Sequence, residues 1–240
     1  MILLGILSYF RDNVKAETQE QGYDISRKHI LKSVDESLQL LQTDHIDLFY
    51  THFDDKVTPV EETLSTYDEL IKAGKLRYIA ASNLSPERLA ESFEVSEKNG
   101  LAKYVALQPH YNLVERKGYE NDYLPLVEKH GLTVFPYWAL AAGFLTGKYR
   151  SEADLVKSVR GGAKQYLNEK GLAVLSALDK VSKKHTPSQA SISLAWLLAQ
   201  PNIGAPIVSA TSIAQLYTLF AATKVQLDAE DLALLDKASK

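Results

Sequence analysis

Four short apolar runs in this chain each stop at a side chain that can hydrogen-bond or stack. Ile46-Asp47-Leu48-Phe49-Tyr50-Thr51 runs into His52, residues 76–81 into Ser82-Asn83, residues 104–107 into Gln108, and residues 133–136 into Tyr137. An imidazole can give or take a proton near neutral pH. Hydroxyl and carboxamide groups orient a polar ligand, and a phenol ring offers a flat face. In a parallel α/β sheet the C-terminal ends of the strands share one side, and ligands bind there. Polar groups at the ends of successive strands are therefore expected to converge on one pocket.

Strand-like and helix-like segments alternate from about Ser26 onward at the spacing of βα units. Ile30, Val34, Leu38 and Leu41 share a helical face after Ser26. Thr58-Pro59-Val60-Glu61 reads as a capping box with proline at the first helical position, and that helix stops at Gly74. Ser85-Pro86 opens a helix that ends near Gly100, and a further helix is expected around 123–129. Glycine and charge rise over 143–162, which reads as a long loop, and long loops in compact domains are often functional. A helix over 172–184 follows, then a second capping box, Thr186-Pro187-Ser188-Gln189, a strand over 205–209, a helix near 213–222 and a C-terminal helix capped by Asp228. That makes five βα units, with strand ends near His52, Ser82, Gln108, Tyr137 and Ser209. Such strands build either a closed barrel or an open doubly wound sheet, and no Gly-x-Gly-x-x-Gly follows any strand to favour the latter.

The 240 residues are 45% hydrophobic and 24% charged, enough for one domain spanning residues 1–240 with a large core. A net charge of -3 without a dense Lys/Arg cluster argues against nucleic acid as a partner. There is no cysteine, which excludes disulfides, thiolate metal sites and a cysteine nucleophile, and fits a cytoplasmic protein. The six histidines show no metal-ligand spacing. The segment MILLGILSYF at 1–10 lacks the basic start and small-residue end of a leader and is too short to span a bilayer, so it is expected to be a buried or edge strand and no membrane partner is expected.

Four ordered motifs carry a family resemblance. Gln42-Thr43-Asp44-His45-Ile46-Asp47-Leu48-Phe49-Tyr50-Thr51-His52 resembles the strand-four motif of the aldo-keto reductases. Gly74-Lys75-Leu76-Arg77-Tyr78-Ile79-Ala80-Ala81-Ser82-Asn83 resembles their strand five, Gln108-Pro109-His110-Tyr111-Asn112 their strand six, and Gly143-Phe144-Leu145-Thr146-Gly147-Lys148-Tyr149 the phosphate loop after strand seven. The likeness runs from about Gly22 to the end. It implies a (β/α)8 TIM barrel that transfers hydride between NADPH and an aldehyde or ketone. The family uses a tyrosine to protonate the oxygen, a lysine that lowers its pKa, an aspartate paired with the lysine, and a histidine that orients the substrate oxygen. An alkoxide-like oxygen must be stabilised and protonated as hydride arrives.

By this resemblance His52 is the family histidine; read alone, it could be a histidine bonded to backbone. Ser82, Asn83 and Gln108 match residues that hold the nicotinamide carboxamide, and could equally cap strand ends. Tyr137 matches the ring that stacks on the nicotinamide, or is plain core. Residues 140–148, with Leu140, Ala141, Gly143 and Lys148, would wrap the pyrophosphate. Lys148 and Arg160 are candidates for phosphate charge, or exposed cations. Thr211 and Gln215 match adenosine-side positions at a helix start, or form an ordinary cap.

The chain also departs from the family. Trp138-Ala139 stands where many members have Ser-Pro, Ser209 where glycine is common, and Leu219 where an asparagine often contacts adenine. The cation that many members set beside the 2′-phosphate is missing from 210–213, so NADP is expected and NAD stays open. The aspartate, tyrosine and lysine have no counterpart; Tyr9 and Lys15 lack the family context. The resemblance thus implies an incomplete barrel without its first two or three βα units, with open edges that invite self-association. An impaired reductase, a non-catalytic nicotinamide-nucleotide-binding protein and an inactive gene fragment all stand as readings.

Overall fold

The computed structural model describes residues 4–6, 22–155, 161–185 and 187–240. It divides into two compact units, residues 1–108 with 130–132 and residues 109–129 with 133–240.

In the first unit β1 (Leu4–Ile6), β2 (Ile46–Thr51), β3 (Leu76–Ser82) and β4 (Tyr104–Gln108) lie side by side in that order, all parallel. Parallel neighbours need crossovers. Helices α1 (Arg27–Leu41), α2 (Val60–Lys72) and α3 (Pro86–Asn99) provide them. Ser26 caps α1 by accepting from the His29 N–H, and Ser85 caps α3 by accepting from Arg88. Only the first half of the α1 stripe is buried, at Ile30 and Val34, while Leu41 stays exposed. The cap of α2 differs from the expected box. Pro59 is the N-cap, and Thr58 donates through N and Oγ1 to Asp55 instead, at 2.8 and 2.6 Å. The Asp55 carboxylate also accepts from Ile25 N, so charge-assisted bonds draw Thr58 into the loop.

The helix-side face of the sheet carries a buried polar knot. The Thr51 hydroxyl lies 2.9 Å from the phenols of both Tyr67 on α2 and Tyr104 on β4. Burial pushes the Tyr104 phenol up to about 12 and raises Tyr67 as well. Phe49 meets Tyr67 edge-on across 6.1 Å. Because strand side chains alternate, Phe49 and Thr51 pointing to α2 sends Tyr50 and His52 to the other face.

The second unit holds α4 (Leu124–His130), β5 (Thr133–Val134), α5 (Glu152–Leu155), α6 (Glu169–His185), α7 (Gln189–Leu198), α8 (Ile213–Ala221) and α9 (Ala229–Ser239). Residues 189–197 of α7 are all buried, and the Ser191 and Ser193 hydroxyls among them donate to the main-chain carbonyls of Thr218 and Gln189. Its cap is Ser188, which accepts from Ser191 N; Thr186 lies outside the described residues. The expected long loop contains two 3-10 turns, Ala141–Thr146 and Gly161–Tyr166, besides α5. The expected strand over 133–137 shortens to two residues, and that over 205–209 forms no strand. Gly204 N and Ile207 N donate to Val134 O and Pro136 O at 2.9 and 2.8 Å. The segment is extended with a ladder on one side only among the described residues, and Ile207 and Val208 are exposed. Among the described residues no helix is long and apolar enough to cross a membrane.

Candidate functional site

The parallel register of the first unit brings four of the singled-out residues to one sheet end. Ser82 pairs with Gln108 across β3 and β4, and the Ser82 hydroxyl donates to the Gln108 main-chain carbonyl at 2.9 Å. Asn83 Nδ2 donates to Ser82 Oγ at 3.0 Å and to the His52 carbonyl at 2.9 Å. One hydrogen-bonded chain thus links the ends of β2, β3 and β4. Ser82 and Gln108 are buried, His52 is half-buried and Asn83 is exposed. Asn83 sits at φ 53, the left-handed region that asparagine tolerates better than most residues. The bond from Ser82 uses the Gln108 backbone and leaves that bond's geometry independent of the carboxamide.

In the second unit Tyr137 lies in an aromatic cluster. Its ring stacks on His110 at 5.3 Å and 16°, and Trp138 meets the same imidazole edge-on at 5.2 Å. His110 Nε2 is 3.4 Å from Asn112 Nδ2 and 3.5 Å from the Tyr166 hydroxyl. Burial pushes the His110 pKa down, against a smaller opposing pull from Glu115, which favours the neutral ring. Burial raises Tyr137 and lifts Tyr166 to about 12. Buried Asn112 fixes the corner: Nδ2 donates to the Trp138 carbonyl at 2.9 Å, while Oδ1 accepts from Val114 and Glu115 N–H. His110, Trp138 and Tyr166 were not nominated from the sequence. The signal for two of them stood in the Gln108–Asn112 motif and in the Trp138-Ala139 departure.

The turn after Tyr137 is wound left-handed. Ala141, Ala142 and Gly143 have φ of 49, 53 and 88°. Non-glycine residues there are strained, and such strain clusters at functional sites. Ala141 N donates to Trp138 O, Gly143 N to Leu140 O, and Thr146 Oγ1 to Gly143 O. Lys148 is exposed and folds back on this turn, so that a Cβ at Gly143 would meet its Nζ at 3.8 Å. Leu140, Ala141, Gly143 and Lys148 therefore come together. Thr211 and Gln215 also meet: Gln215 Oε1 accepts from Thr211 N and Oγ1 at 2.9 and 3.1 Å, while Gln215 N donates to the N-cap Ser212. These bonds complete a helix cap. Arg160, Tyr9 and Lys15 lie outside the described residues.

Residues 10–240 match the model of the aldo/keto reductase family. The chain belongs to the aldo/keto reductase family. Over 246 aligned residues it is 30% identical to the L-glyceraldehyde 3-phosphate reductase of Escherichia coli (strain K12), covering 95% of this chain and 70% of that protein. It is 31% identical to the "Probable voltage-gated potassium channel subunit beta" of Oryza sativa subsp. japonica, covering 78% of this chain and 59% of the relative. Among solved structures, a thermostable aldo-keto reductase crystallised with the inhibitor epalrestat aligns at a TM-score of 0.72 and 29% identity, over 89% of this chain and 67% of that one. This family member thus spans roughly three fifths to seven tenths of the length of these relatives. The α/β architecture with its parallel sheet is that of an aldo-keto reductase.

Proposed function

We propose that the chain is a partial (β/α)8 barrel that binds NADPH, and that its family chemistry is hydride transfer to an aldehyde or ketone. The observation that carries this reading is the hydrogen-bonded chain from Gln108 through Ser82 and Asn83 to His52 at the ends of three parallel strands. Polar groups in that position suit a small carboxamide. In this reading Ser82, Asn83 and Gln108 hold the nicotinamide amide and Tyr137 supports the ring. Leu140, Ala141, Gly143 and Lys148 serve the pyrophosphate, Arg160 adds phosphate charge, and Thr211 and Gln215 attend the adenosine side. NADPH, when bound, supplies the hydride. His52 would hydrogen-bond the substrate oxygen and orient the carbonyl.

Trp138 makes binding measurable, because it is exposed and in contact with the aromatic cluster of Tyr137. NADPH is expected to quench its fluorescence saturably and NADH more weakly; a flat titration would remove the cofactor reading. In this reading His52 is the one tetrad member assigned in the 240-residue chain. Its carbonyl reduction is expected to run about 10²–10⁴-fold below a complete member, the worth of general acid catalysis. Binding with no turnover at all would favour a nucleotide-binding role without catalysis, and turnover at the rate of a complete member would refute the impairment.

A further inference from the structure

The turn that would face phosphate is held by side chains from outside it, on α6, α7 and the segment after the turn. Its last residue, Gly147, has φ 79° and offers its carbonyl to Arg150 Nε at 3.1 Å. The two terminal nitrogens of Arg150 fork onto both carboxylate oxygens of Asp179 on α6, each at 2.8 Å. Asp179 also accepts from Gln189 Nε2 at the start of α7. The Gln189 amide lies directly against Gly147, where a Cβ would fall 1.9 Å from Gln189 Oε1. The positive φ favours glycine at 147, and any side chain there would have to displace the end of Gln189.

We infer that Asp179 is a positioning residue for the turn 141–147, setting its shape through Arg150 and Gln189 before any ligand arrives. The inference rests on the reading of residues 140–148 as the phosphate loop. Ala141 and Ala142 held left-handed carry backbone strain, which the turn's own main-chain bonds offset only in part. The brace reaches the turn at its last residue, Gly147, and closes it from that end. An exposed ion pair alone would hold little. This one is bidentate, and its guanidinium carries a third bond to the turn's main chain, so loosening Asp179 frees Gly147 as well.

The sign of one substitution separates bracing from simple charge. D179N removes a negative charge, and electrostatics by itself would then tighten an anionic ligand. If Asp179 positions the turn, D179N instead weakens NADPH by about 3- to 10-fold, the worth of roughly one net hydrogen bond. R150K keeps the cation but loses the fork and the Gly147 bond, and is expected to fall with it, while D179E restores much of the wild-type affinity. Hydrogen exchange on the ligand-free protein is measured alongside. Amides of residues 143–150 are expected to exchange faster in D179N and R150K, with those of α9 unchanged. NADPH affinity that is unchanged or higher in D179N, or unaltered exchange at 143–150, overturns the inference. Should wild type not bind NADPH, the cofactor reading falls, and faster exchange in D179N would still support the brace.

Discussion

Asn83 joins backbone geometry to side-chain chemistry at a single position. Its φ of 53° lets β3 turn away after Ser82, and its amide nitrogen ties that turn to Ser82 and to the carbonyl of His52. The two contributions can be separated. Asn83→Gly keeps the left-handed backbone and loses both bonds. Asn83→Ala loses the bonds and leaves a residue that tolerates the left-handed region less well than asparagine, at about 1 kcal/mol more. Asn83→Gly is expected to cost about 1 kcal/mol and Asn83→Ala about 2 kcal/mol, read from urea midpoints at constant slope. Equal losses would mean that the backbone conformation carries no strain. Both variants should bind NADPH more weakly if this strand end holds the nicotinamide amide.

At the scale of elements, α9 is fastened at both ends by charged groups. Near its start, Asp231 accepts from Lys184 and His185 at 2.9 and 2.6 Å, and Lys184 also reaches Asp228 at 2.6 Å. Near its end, Arg116 bonds Asp236 and Ser239 while lying over the Trp196 ring, and Trp196 Nε1 donates to Asp236. Burial raises the Asp231 carboxyl, but the bonds from His185 and Lys184 outweigh it and hold the pKa below the ordinary 3.8. The bond from Lys184 lowers Asp228 to about 2. A depressed folded-state pKa contributes stability that is full above 3.8 and is lost as the pH falls through the folded value. The docking of α9 is therefore expected to weaken between about pH 4 and pH 2, seen as rising proteolysis or exchange of the last turn pair. Asp231→Asn should be weaker at pH 7 and lose less on acidification; a pH dependence identical to wild type would place the acid sensitivity elsewhere.

At the scale of the molecule, α8 presents a stripe that nothing among the described residues covers. Ile213, Leu216, Tyr217 and Phe220, at helical spacing, are 73, 45, 73 and 60% exposed, and the helix Ile213–Ala221 carries no charge. The extended segment before it is hydrogen-bonded on one side only among the described residues. Exposed apolar stripes of this kind mark interaction surfaces or association hazards. The chain is expected to self-associate as its concentration rises, and Phe220→Glu with Leu216→Lys should shift sedimentation toward the monomer. A wild-type chain that stays monomeric over a wide concentration range would rule out association through this face.

Much was legible before any fold was seen, wherever local physics decides. Ser26 and Ser85 announced helix starts because a short hydroxyl before an apolar stripe satisfies the first free N–H groups. His52, Ser82, Asn83 and Gln108 could be placed at strand ends because alternation and turn chemistry act over a few residues. Tertiary structure decided the rest. The Asp55 carboxylate drew Thr58 out of its expected cap. Residues 205–209 read as a strand, yet a strand exists only where neighbours pair with it, and among the described residues this segment is bonded on one side only. Asp179 gave no sign in the sequence and Gln189 read only as part of a capping box, because what they brace lies about 30 to 40 residues earlier in the chain. Local pattern names which groups can act; contacts between distant residues settle what each one is bonded to.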